Sequence, residues 1–74
     1  MIDIKIQQRY KKIGLKISYY RKLKNLNQQE LANRLNISRT HLSNIEAPNM
    51  HTSVSLDLLF RISDELNVDI KDLF

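Results

Sequence analysis

The sequence predicts an all-α domain folded as a compact bundle of five helices. Apolar residues recur at spacings of three and four over most of the 74 residues, which is the period of one buried helix face. One glycine and one proline leave few irregular turns. Asparagine and serine stand where the apolar period breaks, and these residue types favour helix ends. A chain of this length forms one small domain that buries roughly 60% of its unfolded surface.

A first helix is predicted from about Gln7 to Lys24. Its buried face is marked by apolar residues at spacings of four, three, four and three, namely Ile6, Tyr10, Ile13, Ile17 and Tyr20. The outer face of this helix is basic, and Gly14 is a tolerated weak point in it. Asn27 and Glu30 then have the spacing of a capping box, which predicts the start of a second helix.

Two short helices joined by a tight turn are predicted in residues 28–47. Their apolar stripes consist of Leu31, Ala32 and Leu35 in one helix and of Leu42 and Ile45 in the other. Asn36 tolerates the left-handed conformation that ends a helix, and the Ser38 hydroxyl can cap the next helix. Ile37 lies in the turn yet is apolar, so we expect it to be buried and to fix the angle between the two helices.

The rest of the chain is predicted to hold a loop and two more helices. Residues 47–54 contain Pro48 and several short polar residues, which is typical of a connecting loop. Ser55 can cap a fourth helix, and a last short helix is predicted in residues 68–74 with Asp69 at its start. The buried side of the fourth helix is predicted to consist of Leu56, Leu59, Phe60, Ile62, Ser63 and Leu66.

Charge is divided unevenly along the chain. The net charge is +4, but residues 1–45 hold ten Lys/Arg against two acids, whereas residues 46–74 hold two against six. A domain polarised in this way is expected to face a polyanion with one side and solvent or a partner with the other. Many small soluble proteins are also basic, so charge alone does not decide for nucleic acid.

The composition excludes several classes of protein. There is no cysteine, hence no disulfide and no thiolate metal site, and no apolar run approaches the ~20 residues that span a bilayer. No signal peptide is recognisable, so the cytoplasm is the expected location. No histidines or acids have the spacing of a nucleophile, metal or carboxylate motif, so the sequence predicts neither an enzyme nor a bound metal or cofactor.

The third helix carries a compact polar face opposite its apolar stripe. The side chains on it are Arg39, Thr40, Ser43 and Asn44. Arginine can bond two acceptors of guanine, asparagine can pair with adenine, and threonine can touch a thymine methyl group. The helical period alone fits a face that reads DNA and a merely solvated face equally well.

Four groups of residues fit one known pattern when they are taken together. They are Ile17-x-x-Tyr20-Arg21, Asn27-Gln28-x-Glu30-Leu31-Ala32, Ile37-Ser38-Arg39-Thr40-x-Leu42-Ser43-x-Ile45-Glu46 and Leu66-Asn67-Val68-Asp69-Ile70-x-x-Leu73. Across residues 13–74 the chain resembles the phage-repressor/Cro type of helix-turn-helix domain, the family also named after the xenobiotic response element. The resemblance implies a lambda-repressor-like bundle with its helix-turn-helix at 28–47 and its third helix in the major groove.

The resemblance also implies which side chains meet DNA. The positions that touch base edges are matched by Arg39, Thr40 and Asn44. Gln28 matches a glutamine that hydrogen-bonds a phosphate at a helix N-terminus. Further phosphate contacts are expected from Ser38, His41, Ser43 and Asn49. Arg21 and Glu46 match a structural salt bridge between the first and third helices, so both are excluded from the reading surface.

Three features depart from the family pattern. Asn36 stands where glycine is usual, at little cost because asparagine also adopts the left-handed conformation. The loop after Glu46 lacks the common Gly-Lys-Arg phosphate-binding stretch, and Met50 there is expected to pack into the core or meet a partner. Residues 1–12 form an N-terminal extension outside the resemblance, with three alternatives: a longer first helix, an isoleucine strand that pairs two copies, or a basic arm along DNA.

Together these observations predict a sequence-specific regulator that binds double-stranded DNA. A repressor is expected, because so small a chain has little surface left for recruiting polymerase. One domain reads only a half-site, so a homodimer on a near-palindromic operator is expected, with its reading helices ~34 to 36 Å apart. The expected dimer interface is the apolar chain end, Val68, Ile70, Leu73 and Phe74, alone or with the N-terminal isoleucines.

A protein-interaction module is the alternative function. An antitoxin of this kind would neutralise a partner protein and bind DNA only secondarily. The acidic second part of the chain is compatible with such a partner.

Overall fold

The computed structural model describes residues 3–47 and 53–74, which form α-helices and one 3₁₀-helix. In chain order these are α1 (Ile4–Leu23), α2 (Gln28–Leu35), α3 (Arg39–Glu46), α4 (Leu56–Leu66) and the 3₁₀-helix Ile70–Leu73. The described residues include no strand, so the all-α prediction is confirmed, whereas the prediction of five α-helices is wrong at the chain end. The last element has four residues, and Asp69 makes no side-chain cap bond. Such short runs commonly take the tighter 3₁₀ winding.

α1 begins at Ile4, before the predicted start, because Asp3 caps it. The Oδ1 atom of Asp3 accepts a hydrogen bond from the backbone N–H of Lys5 at 2.8 Å, which satisfies one of the free donors of the first turn. Ile4 and Ile6 therefore lie in a helix, and the pairing-strand alternative is wrong for these two residues. Both side chains are exposed, so Ile6 does not belong to the buried stripe as predicted. The proposed border between residues 12 and 13 falls within this helix.

One hydrophobic core is shared by the four α-helices and the 3₁₀-helix. Its largest fully buried side chains are Ile17, Leu31, Leu35, Leu42, Ile62, Leu66 and Leu73. The predicted buried side of α4 is wrong at two positions, because Leu56 and Phe60 are 58% and 49% exposed, whereas Leu58 is buried. Ile37 packs against the core from the turn between α2 and α3 and is partly buried.

α1, α2 and α4 end in the same way, with an asparagine in the left-handed region followed by an apolar residue. Asn25, Asn36 and Asn67 have φ angles of 58°, 57° and 54°. The next residues, Leu26, Ile37 and Val68, each donate the backbone N–H to a carbonyl five residues earlier, at 3.0 to 3.2 Å. This is the Schellman arrangement, in which the apolar residue also packs back on the domain. The left-handed conformation predicted for Asn36 is thus one of three.

Hydrogen bonds from side chains hold α2 at both ends. Asn27 Oδ1 accepts from the backbone N–H of Glu30 at 2.7 Å, and Glu30 Oε1 accepts from the backbone N–H of Asn27 at 2.9 Å, which confirms the predicted capping box. At the other end, the Nη2 atom of Arg61 in α4 donates to the carbonyl oxygen of Leu35. The helix that precedes α3 is therefore held from two sides.

Candidate nucleic-acid interface

A buried ion pair joins α1 to α3. The Nε and Nη2 atoms of Arg21 donate to the Oε2 and Oε1 atoms of Glu46 at 2.8 and 2.9 Å, and the two side chains are 9% and 4% exposed. The Nη1 atom of Arg21 donates to the carbonyl of Leu26 at 2.8 Å. The amide nitrogen of Gln28 donates to Oε1 of Glu46 at 3.1 Å. One carboxylate therefore ties together α1, the start of α2 and the end of α3.

Gly14 lets α1 and α3 approach each other closely. A Cβ atom at this position would overlap the backbone oxygen of Ile45 and lie 3.3 Å from the Cα atom of Glu46. The oxygen belongs to the helix backbone in a close-packed interior, so it cannot move aside as a flexible side chain would. Gly14 is therefore required for the close packing of α1 against α3, and it is not only a weak point of the helix.

The turn fixes where α3 begins. Asn36 has φ 57° and ψ 42°, so α2 ends at this residue and the chain leaves the helical path there. The hydroxyl oxygen of Ser38 then accepts a hydrogen bond from the backbone N–H of His41 at 3.0 Å, which confirms the predicted cap. The start of α3 is thus set by a hydrogen bond from its own first turn.

The outer face of α3 presents polar side chains that the domain does not use internally. Arg39 and Thr40 are exposed and Asn44 is half-buried. Within the described ranges, none of these three side chains makes a hydrogen bond or an ion pair. The opposite face of the helix is buried through Leu42 and Ile45. A fixed helix with free arginine, threonine and asparagine side chains has the donors, acceptors and methyl group needed to contact base edges.

Two predicted phosphate ligands also belong to the scaffold. Gln28 is the first residue of α2, and its amide nitrogen is already bonded to Glu46, which leaves the second amide hydrogen and the oxygen for another partner. Ser38 accepts the cap bond in α3 and keeps its hydroxyl hydrogen as a donor. Both side chains can therefore contact a phosphate while they keep their structural bonds.

Of the other predicted phosphate ligands, some lie on α3 and one lies outside the described residues. His41 is exposed on α3, and Ser43 is half-buried on the polar outer face of the same helix. Asn49 lies outside the described residues, as does Met50, for which a core or partner contact is predicted. Of the predicted phosphate set, Gln28, Ser38, His41 and Ser43 therefore lie on α2, on α3 or at the N-cap between them.

The chain end offers less surface than the sequence predicts. Leu73 is fully buried in the core, so it is not available to a second copy. Val68 and Ile70 pack against the core and are partly buried. Phe74 is 50% exposed, which makes it the most accessible of the four residues of the predicted interface.

Most of the positive charge is left unneutralised by the fold. Arg21–Glu46 is the ion pair formed within the described residues, so nine of the ten Lys/Arg in residues 1–45 have no acidic partner there. α1 contains no acidic residue. An excess of unpaired cations favours attraction of a polyanion such as nucleic acid.

The described ranges contain neither a membrane-spanning helix nor a metal-ligating cluster. No helix there is long and apolar enough to cross a membrane. No group of three or more histidine, aspartate or glutamate side chains is arranged there to hold a metal ion.

Two contributions to this site are missed by the sequence analysis. The bond from Gln28 to Glu46 joins residues 18 positions apart, and no local pattern reveals it. The close approach at Gly14 had a signal, because the single glycine of the chain lies between Ile13 and Ile17 on the buried face of a long helix.

Several known proteins are similar to this chain. The helix-turn-helix family model matches residues 11–73. An uncharacterized HTH-type transcriptional regulator of Methanocaldococcus jannaschii is 41% identical over 59 residues, which cover 80% of this chain and 86% of the relative. The HTH-type transcriptional regulator SinR of Bacillus subtilis is 36% identical over 61 residues, which cover 82% of this chain and 54% of SinR. The chain thus spans about half the length of SinR.

A solved structure has the same fold. The restriction-modification controller protein C.AhdI from Aeromonas hydrophila superposes with a TM-score of 0.79 at 25% identity, over 88% of this chain and 96% of that one. The family match covers both helices of the motif and the turn between them. The chain belongs to the helix-turn-helix family, of the phage-repressor/Cro type, and is a transcriptional regulator with a helix-turn-helix DNA-binding domain.

Proposed function

We propose that this chain binds a specific double-stranded DNA sequence as a homodimer and represses transcription from a near-palindromic operator. The observation that carries the proposal is the outer face of α3. There Arg39, Thr40 and Asn44 have no internal partner within the described ranges, while the other side of the same helix is fixed in the core.

In this proposal α3 lies in the major groove and reads bases directly. Arg39 donates to the O6 and N7 atoms of guanine, Asn44 pairs with N6 and N7 of adenine, and the Thr40 methyl group contacts a thymine methyl group. Each well-made contact of this kind discriminates against the wrong base by ~1 to 3 kcal/mol. The close contact at Gly14 and the buried pair of Arg21 and Glu46 fix α3 against α1. The helix is therefore kept from rotating, and its three side chains reach the bases together.

Affinity comes mainly from the phosphate backbone. Gln28, Ser38, His41 and Ser43 position the domain, and Asn49 is proposed to add a contact from the loop. The unpaired cations of residues 1–45 supply the long-range attraction. Binding is therefore expected to weaken as the salt concentration rises, because bound cations release counterions from DNA.

Two-fold symmetry follows from the size of the reading surface. A single α3 covers only a half-site, and two copies would place their reading helices ~34 to 36 Å apart, one turn of DNA. Repression needs no further surface, because a dimer on an operator that overlaps a promoter excludes polymerase by occupancy. The cytoplasm is the proposed place of action.

Selection of binding sites from a random duplex pool at near-physiological salt tests the proposal. The purified chain is compared with Arg39→Ala/Asn44→Ala and with a control, Glu65→Ala/Lys71→Ala, which removes two exposed charges outside α3. We expect a two-fold symmetric motif that the first variant loses and the control keeps. A well-folded wild type that selects no motif would contradict the proposal and favour the antitoxin-type alternative.

A further inference from the structure

A shallow groove lies between α1 and the end of the chain. It has a volume of about 250 Å³ and is lined by Arg9, Lys12, Ile13 and Phe74. Its lining is mainly apolar, since the aliphatic stems of arginine and lysine add apolar surface to that of Ile13 and Phe74. The exposed half of the Phe74 side chain therefore borders a site that an apolar side chain can enter.

The groove is also cationic. Arg9 lies one helical turn before Ile13, and Lys12 directly precedes it. Neither cation forms an ion pair within the described residues, and α1 contains no acidic residue that could neutralise them. An occupant that matches this groove combines an exposed apolar side chain with carboxylates one turn away.

The outer face of α4 has the complementary combination. Phe60 is 49% exposed, and Leu56 on the preceding turn is 58% exposed. Asp57 lies three residues before Phe60 and Asp64 four residues after it, so both are its neighbours on the helix surface. Both aspartates are exposed, and neither forms an ion pair within the described ranges.

We propose that a second copy of this chain occupies the groove with Phe60 of its α4, with Asp64 facing Lys12 and Asp57 facing Arg9. The inference rests on the homodimer of the proposed function and names its interface. In a two-fold dimer each copy supplies one groove and one α4 face, so the contact is made twice. The interface then uses Phe74 of the predicted chain-end set and does not need the buried Leu73.

Charge and burial together favour this occupant over nucleic acid. A phosphate backbone would pair with Arg9 and Lys12 but would leave the apolar lining and the Phe60 ring exposed to water. Docking α4 removes aromatic and aliphatic surface from water on both sides. The opposed charges fix the register of the contact.

Sedimentation of the full chain without DNA tests the apolar part of the contact. Phe60→Asn is compared with Leu15→Asn, because Leu15 is also 49% exposed but does not line the groove. We expect Phe60→Asn to raise the dissociation constant of self-association roughly tenfold or more, and Leu15→Asn to leave it unchanged. Circular dichroism checks that both variants are folded.

Charge reversal tests the pairing itself. Lys12→Glu and Asp64→Lys are each expected to weaken self-association, again roughly tenfold or more, since like charges then face each other. The double variant Lys12→Glu/Asp64→Lys restores the opposed charges and is expected to regain most of the affinity. Lys12→Glu/Asp69→Lys is the matched control, because it has the same net charge but does not restore the pair.

The outcomes separate this inference from the proposed function. A wild type that stays monomeric at every attainable concentration overturns the inference, as does equal behaviour of Phe60→Asn and Leu15→Asn or a double variant without restored affinity. The same proteins are tested on a duplex that contains one selected half-site. Half-site binding that persists while docking fails leaves the DNA-binding proposal standing, whereas a wild type that binds no selected sequence contradicts that proposal instead.

Discussion

The inner and outer faces of α3 are built in opposite ways. On the inner face, Gly14 lets the backbone of α3 approach α1 closely, and Arg21 and Glu46 form a buried ion pair. On the outer face, Arg39 and Asn44 have no partner within the described ranges. The inner face therefore determines where the helix lies, and the outer face determines what it can bind. Substitutions on the two faces are expected to separate into effects on stability and effects on DNA affinity.

Glu46→Ala is expected to have the largest effect. It leaves the buried guanidinium of Arg21 without its charge partner and removes the acceptor of Gln28. Breaking a buried pair in this way costs about 3 to 5 kcal/mol, a large share of the ~5 to 15 kcal/mol that stabilises a typical domain. Urea unfolding measures the loss, with Glu65→Ala as the exposed control. Equal unfolding midpoints for the two variants would show that the buried interactions of Glu46 do not stabilise the fold.

Gly14→Ala tests the close packing between α1 and α3. Replacing glycine by alanine inside a helix ordinarily stabilises it by up to about 1 kcal/mol. Here the added Cβ would meet the backbone oxygen of Ile45, and overpacking of this kind costs ~1 to 3 kcal/mol. We expect a lower unfolding midpoint, whereas Gln8→Ala at an exposed position of α1 leaves it nearly unchanged. A Gly14→Ala protein more stable than the wild type would refute the close approach.

Arg39→Ala and Asn44→Ala are expected to act on DNA binding alone. Each removes a base contact worth ~1 to 3 kcal/mol of discrimination and touches no internal bond within the described residues. The free energy of unfolding should therefore change by no more than about 0.5 kcal/mol. Fluorescence anisotropy on the selected operator and urea unfolding measure the two quantities side by side. A loss of stability as large as that of Gly14→Ala would erase the distinction between the faces.

Asn36→Ala and Asn36→Gly examine the turn that connects the two helices of the motif. The left-handed conformation of this residue disfavours a Cβ-bearing side chain by roughly 1 to 2 kcal/mol unless the side chain is asparagine or aspartate. We expect the alanine variant to lose about 1 kcal/mol of stability and the glycine variant to keep the wild-type value. Thermal unfolding compares the two variants with the wild type. Identical melting temperatures of all three proteins would mean that the turn does not need a residue that favours the left-handed conformation.

Features that depend on one helical turn were predictable from the sequence. The capping box of Asn27 and Glu30, the cap at Ser38 and the left-handed Asn36 each rest on residues that are at most a few positions apart. The same reasoning could have been applied to Asn25 and Asn67, which repeat the pattern of asparagine followed by an apolar residue. These signals are local because the hydrogen bonds that define them are local.

Features that depend on which helices meet were not predictable in the same way. Leu56 and Phe60 fall at the border of the apolar stripe of α4, and only the packing of its neighbours decides that Leu58 is buried in their place. Gly14 faces Ile45 across 31 positions of sequence, so its role becomes visible only when α1 and α3 are side by side. The short last helix is also misjudged, because four residues leave too few turns for periodicity to distinguish α from 3₁₀ winding.

Affinity measurements of Arg39→Ala on single-base-pair variants of the selected operator test the central claim most directly. If α3 reads bases through its outer face, this variant loses discrimination at one position of each half-site and keeps it at all others. If Arg39 merely contacts the backbone, the variant binds every operator variant more weakly by the same factor. Uniform weakening would contradict the account, and relaxed specificity at one symmetric pair of positions would establish it.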